Sequence, residues 1–262
     1  MEPHGFFTDT SVCIGCKACE VACKQWNQLP ADGAYFSGRS YDNTMHLEST
    51  TWRHVAFLER SRQLSGQTTA RPFSWLFLSD VCKHCNRAGC LEACPTGALV
   101  RTEFASVYLQ PDVCNGCGYC VVACPFGVIN RREDDGRAWK CTLCYDRQKV
   151  GLEPACAKTC PTDSIFFGPV GELQVRAQAR LLELHRKGVH EARLYGMTEL
   201  DQPGTEGLNA FFLLLDRPEA YNLPPEPRVP TKEVGRAWGM MGLAAAGMVA
   251  AAIAAVRAGG EK

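Results

Sequence analysis

The chain is 262 residues long and carries 28 Lys and Arg against 28 Asp and Glu, for a formal net charge of zero, with 9% aromatic residues. That length allows one or two compact domains, and with balanced charge and ordinary aromatic content nothing suggests a nucleic-acid-binding protein. Sixteen cysteines are the departure from ordinary composition, and free thiols in that number point to assembly in a reducing compartment, the cytoplasm.

Met1-Glu2-Pro3-His4 has no basic n-region, and no apolar h-region follows before Cys13, so no secretory signal is expected. The first cysteine block is Cys13, Cys16, Cys19 and Cys23. An insertion from Lys24 to Val81 follows. Within it, Thr51–Leu58 and Phe73–Leu78 are rich in β-formers, and Ser65–Thr69 reads as the loop of a β-hairpin. Its aromatic residues suit either a core or an interface. Next come Cys82, Cys85, Cys90 and Cys94, and then Cys114, Cys117, Cys120 and Cys124. The Arg131-Arg132 pair is internal with no h-region after it, an ordinary charged turn. The fourth block is Cys141, Cys144, Cys156 and Cys160, and Ser164–Phe167 reads as a closing strand. Beyond Gly171, Leu173, Ala177, Leu181 and Leu184 recur on one helical face that ends at Lys187-Gly188, and Phe211–Leu215 reads as a short buried strand. Pro218, Pro224, Pro225, Pro227 and Pro230 predict an extended linker. From Ala237 to Val256 no charged residue occurs, between Arg236 and Arg257. As a helix that run is about 30 Å long, the thickness of a bilayer core. Trp238 stands at the interface position, and Gly242, Ala246, Ala250 and Ala254 form a small-residue stripe suited to packing on a neighbouring membrane helix. A soluble Ala-rich helix is the competing reading, without a polar face for water to wet.

The blocks carry the chemistry. The first and third have the C-x2-C-x2-C-x3-C spacing of bacterial ferredoxins, and three of the four run into proline at Pro95, Pro125 and Pro161. One loop then presents three soft thiolates to a cubane while its backbone N–H groups point at the sulfides. Structural zinc also uses C-x2-C pairs but does not favour a third cysteine two residues on. A disulfide framework would need partners for three cysteines within seven residues. Sixteen thiolates divide into four [4Fe–4S] clusters, cofactors that move single electrons. In two-cluster ferredoxins the fourth cysteine of each run ligates the other cluster. That rule assigns Cys82, Cys85, Cys90 and Cys124 to one cluster and Cys114, Cys117, Cys120 and Cys94 to its partner. An outer unit takes Cys13, Cys16, Cys19 with Cys160, and Cys141, Cys144, Cys156 with Cys23. Sequential pairing within each block is the alternative.

The expected fold is therefore α+β: two interleaved two-cluster ferredoxin-like units with a β-hairpin insertion, and a C-terminal single transmembrane helix. The four-cluster domain spans 1–170, with an outer unit of 1–23 and 138–168, a hairpin insert of 24–81 and an inner unit of 82–130. A C-terminal extension and Pro-rich linker occupy 171–232, and the membrane helix 233–258. No catalytic constellation appears. His4, His46, His54, His84, His185 and His190 read as structural, His84 either tuning a cluster loop or meeting solvent.

CIGCKACEVACKQWN at Cys13–Asn27, YDNT at Tyr41–Thr44, CNGCGYCVVACPFGV at Cys114–Val128, KCTLCYDRQKVGLEPACAKTCPTDSIFFG at Lys140–Gly168 and the Ala220–Pro227 stretch together resemble the iron–sulfur (β) subunit of membrane-bound, molybdenum- or tungsten-dependent formate dehydrogenase. The resemblance covers nearly the whole chain. The cysteine blocks alone are shared with subunits of sulfur-compound and nitrate reductases and of hydrogenases. Nitrate reductase subunits replace one cysteine of the third block; here Cys114, Cys117 and Cys120 are all present. The resemblance implies a catalytic molybdopterin partner that oxidises formate, and a cytochrome b-type membrane partner that passes electrons to quinone. It also implies a single-pass protein of the cytoplasmic membrane with its clusters on the outer, periplasmic face. Export would ride on a twin-arginine signal in the catalytic partner. The same relay in a sulfur-compound reductase or hydrogenase complex is the alternative. The leader before Cys13 is shorter than in the family, and Lys232 and Arg236 against Arg257 and Lys262 leave the membrane orientation undecided by charge.

Overall fold

The computed structural model describes residues 2–31, 38, 41–42, 44–60, 74–202 and 204–259. The first element is one that cysteine spacing does not mark: strand β1, His4–Asp9, ahead of the first block. Helix α1, Ala18–Asn27, starts inside that block and carries Cys19 and Cys23 on its buried side. Strands β2, Arg53–Arg60, and β3, Ser74–Val81, pair antiparallel from Arg53↔Val81 to Arg60↔Ser74. The loop expected at Ser65–Thr69, the strand start at Phe73 and Asn43 of the YDNT stretch lie outside the described residues.

Two short helix-and-hairpin halves follow. Helix α2, Gly89–Glu92, precedes the pair β4, Leu99–Arg101, and β5, Val107–Leu109. Helix α3, Tyr119–Ala123, precedes the two-residue pair β6, Asn130–Arg131, and β7, Ala138–Trp139. The two helices meet closely: a Cβ on Gly89 would stand 2.6 Å from the Ala123 carbonyl oxygen. The fourth block supplies the one-turn helices α4, Tyr145–Gln148, and α5, Ala155–Lys158, the latter beside α1.

Strand β8, Ile165–Pro169, runs directly into helix α6, Val170–Arg186, and strands β9, Arg193–Tyr195, and β10, Ala210–Leu214, complete a four-stranded sheet of order β8-β1-β10-β9. β1 lies antiparallel to β8 and parallel to β10, with Phe7↔Phe211 in register. Alternation along a strand sends neighbours to opposite faces. Phe7, Phe211 and Leu213 therefore pack under Leu173, Ala177 and Leu184 of α6, while Phe6 joins the cysteine-lined core of Cys19, Cys23, Cys82, Cys141 and Cys156. Phe212 and Leu214 meet Leu76 and Leu78 of the β2–β3 pair. The sheet thus ties both ends of the cysteine region to the segment that follows it.

The proline-rich stretch departs from the extended linker expected of it. Pro218–Tyr221 and Pro230–Glu233 each form one turn of 3-10 helix with proline at its start, where the missing N–H is no loss. Tyr221, Leu223 and Val229 are buried, and the Tyr195 hydroxyl donates to the Pro224 carbonyl at 2.5 Å. Apolar side chains between the prolines pull the stretch onto the body. The last helix, α7, Val234–Gly259, is exposed along its described side chains and is long and apolar enough to cross a membrane.

Candidate iron–sulfur sites

All sixteen cysteines are free thiols, and the fold brings thiols of different blocks close together. Cys23, Cys141, Cys144 and Cys156 wall one enclosed cavity, with Phe6 and Trp52. Burial pushes the Cys23 thiol well up, and nearby Cys141, Cys156 and Cys144 push it further. The Cys144 thiol rises to about 12, by burial first and then by Cys156. Leu143 N–H donates to Cys141 Sγ at 3.3 Å.

A second group joins the two ends of the cysteine region. The Cys13 thiol is raised by burial, relieved by the Gly15 N–H, and raised again by Cys160 and Cys16. Cys19, beside Cys156 of the first cavity, is pushed up to about 12 by burial, against the pull of Arg53 and of the Ser79 hydroxyl 3.2 Å from its sulfur. Ser164 N–H donates to Cys160 Sγ at 3.3 Å. In the third group burial raises Cys85 well above the usual thiol range, helped by Cys82, Cys124 and Cys90. In the fourth, Cys120 rises to about 11 by burial and by Cys114, Cys117 and Cys94. Cys94 differs: burial pushes up, but the Thr96 hydroxyl and the N–H groups of Leu99, Thr96 and Ala98 outweigh it and lower its pKa.

Local backbone shapes these pockets. Gly15 has φ +67° and Gly116 φ +72°, at the same place in the first and third blocks. A Cβ would stand 2.8 Å from the Phe77 ring at Gly15 and 2.4 Å from the Gly136 carbonyl oxygen at Gly116, so neither loop admits a side chain there. Lys17 and Gly118, which follow the exposed Cys16 and Cys117, are also left-handed and turn each loop into its helix.

The donor set and its charges fit a [4Fe–4S] core. Arg53, Lys83 and Lys140 are buried cations at these groups. Burial alone would lower the Lys140 ammonium, but the charges of Cys82, Cys90 and Cys141 hold it up. Arg53 is held up in the same way by Cys156, Cys19, Cys141 and Cys23, and its Nε and Nη2 have no hydrogen-bond partner. Orphaned buried donors facing thiols are what an anionic cluster answers. Among the described residues no three His, Cys, Asp or Glu side chains converge on a point that could hold a single ion, as a zinc site with bonds of ~2.0–2.3 Å demands. The four buried thiols of Cys23, Cys141, Cys144 and Cys156 around one cavity suit a larger core.

Sequence reading passed over Arg53, Lys140 and Ser79. Lys83 and Lys140 adjoin Cys82 and Cys141 in the chain, a signal that was available; Arg53 lies in a run of β-formers and carries none. The YDNT stretch braces the first loop: Asp42 accepts from Lys17 Nζ at 3.2 Å and from the N–H groups of Thr44 and Met45. Burial pushes the Asp42 carboxyl up, yet His54 and Lys17 hold it below its usual value. His84 does not meet solvent. It is 1% exposed, its Nδ1 accepts from Val107 N–H at 3.0 Å, and burial with Lys140, Arg101 and Arg53 nearby holds it well below the usual range, hence neutral.

Two family models, each described as a 4Fe-4S dicluster domain, match residues 73–170 and 12–98. The formate dehydrogenase iron-sulfur subunit of Haemophilus influenzae is 40% identical over 227 residues, 84% of this chain and 68% of that protein. The nitrate-inducible formate dehydrogenase iron-sulfur subunit of Escherichia coli is 39% identical over 246 residues, 92% of this chain and 79% of that protein. The B subunit of the anaerobic dimethyl sulfoxide reductase of Escherichia coli is 34% identical over 172 residues, 65% of this chain and 76% of that protein. Taken with the buried thiols, these likenesses show that the chain belongs to the family of formate dehydrogenase iron–sulfur subunits.

Proposed function

We propose that this chain is the electron-transfer subunit of a formate dehydrogenase complex, relaying single electrons through four [4Fe–4S] clusters from a catalytic molybdopterin subunit to a membrane cytochrome b and quinone. The observation that carries it is the cavity walled by Cys23, Cys141, Cys144 and Cys156, thiols drawn from two blocks as in a two-cluster ferredoxin. The proposed ligand sets are Cys13, Cys16, Cys19, Cys160; Cys23, Cys141, Cys144, Cys156; Cys82, Cys85, Cys90, Cys124; and Cys94, Cys114, Cys117, Cys120. When bound, the clusters supply one-electron redox chemistry at potentials set by charge, hydrogen bonding and burial.

The residues supply order. Neighbouring sets influence one another through Cys19 and Cys156, through Cys141 and Cys82, and through Cys90 and Cys120, which supports a single row. The terminal sets each have an exposed cysteine, Cys16 and Cys117. Each has exposed apolar side chains near it in the chain that suit a partner, Ile14 and Val21 at one end and Tyr119 and Val122 at the other. On this reading the outer unit, 1–23 with 138–168, encloses an inner unit, 82–130, and α7 anchors the chain with its clusters outside the cytoplasm. The likeness to the dimethyl sulfoxide reductase B subunit keeps the same relay in a sulfur-compound reductase as the second reading, decided by which catalytic subunit co-purifies.

The test is Cys94→Ser in the assembled complex. Formate-to-quinone transfer is expected to stop, while formate oxidation by a dye that takes electrons at the catalytic partner persists. Quinone reduction that survives with that cluster shown to be absent overturns the serial relay.

A further inference from the structure

Among the described residues Arg53 is the largest side chain that the fold buries completely, 1% exposed. Among the described residues no carboxylate lies within ion-pair distance of it. Its Nη1 donates to the Ser79 carbonyl at 3.2 Å and to Ser79 Oγ at 3.0 Å, and its guanidinium lies 4.8 Å from the Phe6 ring centre. Nε and Nη2 are buried with no partner. The side chain lines the cavity shared by Cys23, Cys141, Cys144 and Cys156, and Ser79 Oγ stands 3.2 Å from Cys19 Sγ. One guanidinium therefore faces one proposed cluster directly and reaches the next through a single hydroxyl. A buried charge left unpaired is strongly destabilising, so the arrangement calls for an anion in that cavity, and guanidinium stays charged there.

We propose that Arg53 sets the reduction potentials of the outer pair of clusters. Its free Nε–H and Nη2–H donate to the cluster held by Cys23, Cys141, Cys144 and Cys156, and Nη1 acts through Ser79 on the cluster of Cys19. This rests on the four-cluster reading above. Reduction adds one negative charge to a cluster, and a fixed cation with hydrogen bonds to its sulfurs favours that form, raising both potentials. A cation shared between two anions also weakens their mutual repulsion, so that filling one cluster opposes filling its neighbour less.

The experiment is a redox titration of the purified complex followed by electron paramagnetic resonance, for the wild type and for Arg53→Met, Arg53→Gln and Arg53→Lys, with iron and sulfide measured on each. The signal lost in Cys144→Ser identifies the cavity cluster. In Arg53→Met that signal, and that of the Cys13, Cys16, Cys19 and Cys160 cluster, are expected to move to lower potential by at least tenfold in the reduced-to-oxidised ratio, about 59 mV for one electron. The Cys94, Cys114, Cys117 and Cys120 cluster stays in place, and Arg53→Lys shifts less. Should Met abolish the cavity cluster, Arg53→Gln provides the neutral comparison. Loss of that cluster in both neutral variants with retention in Lys supports the charge. Unchanged potentials with four intact clusters overturn the proposal, as does a lysine variant that behaves like methionine or loses the cluster too. A wild-type complex with no Cys144-dependent signal removes the cluster reading beneath it, a distinguishable failure.

Discussion

Replacing Cys124 with alanine decides which thiols share a pocket. Cys124 follows Cys120 by one helical turn, yet the backbone leaves the helix there, at φ −83° and ψ 111°. The Cys124 charge is felt by Cys85 and Cys90, whereas Cys120 senses Cys114, Cys117 and Cys94. On the proposed four-cluster reading, at four irons per cubane, the intact chain would hold about sixteen, so loss of one cluster would leave about twelve and loss of a single corner iron about fifteen. Iron analysis alone does not say which cluster was hit. Exposure does: Cys16 and Cys117 are exposed while Cys82 is buried and Cys85, Cys90 and Cys124 are partly covered. A soluble paramagnetic ion should therefore broaden two of the four cluster signals and spare the others. Cys124→Ala is expected to remove a spared signal and keep both broadened ones, and Cys94→Ala to remove a broadened one. If Cys124→Ala removes a broadened signal instead, each block ligates its own cluster and the crossed assignment is refuted.

A chain ending at Arg236 is expected to leave membranes together with its catalytic partner at undiminished iron content, read by ultracentrifugation and iron assay; continued sedimentation with membranes and normal quinone reduction would show α7 to be dispensable. Phe211→Ala removes a fully buried ring stacked 5.5 Å from Phe7 and should cost about 3–5 kcal/mol. A denaturation midpoint unchanged by circular dichroism would mean that β10 does not hold the sheet.

What could be read from the chain was local. The cysteine spacings sit within single loops, and the helical face of Leu173, Ala177, Leu181 and Leu184 recurs within a few turns, so α6 was visible before its partners were known. β1 left no such mark. Its residues, His4–Asp9, gain their meaning from β10, whose Ala210–Leu213 lie far along the chain, and no periodicity announces a parallel partner at that separation. The prolines misled for a related reason. They exclude helix interiors and ladder hydrogen bonds, but they say nothing about Tyr221, Leu223 and Val229 between them, which are buried. Arg53 was illegible because a strand containing one arginine reads the same whether that side chain meets water or thiols.

The packed proline stretch bears on how such a relay would reach a membrane. A free tether would let the cluster body wander, and electron tunnelling falls steeply with distance. Here the approach to α7 is fixed. Val229 is 1% exposed and lies 3.2 Å from where a Cβ on Gly89 would stand. The Thr231 hydroxyl donates to the Glu92 carboxylate, and Lys232 pairs with Glu206 at 3.6 Å. Gly89 and Glu92 are the ends of α2, the short helix that carries Cys90 and leads to Cys94. On the proposed reading the segment entering the membrane is thus pinned to the inner pair of sets. The outer pair, with Cys16 exposed and Arg53 in its midst, is left free for the catalytic subunit. On that reading the set that takes in Cys94, which follows α2, is the one that Val229 and Thr231 keep beside the base of α7.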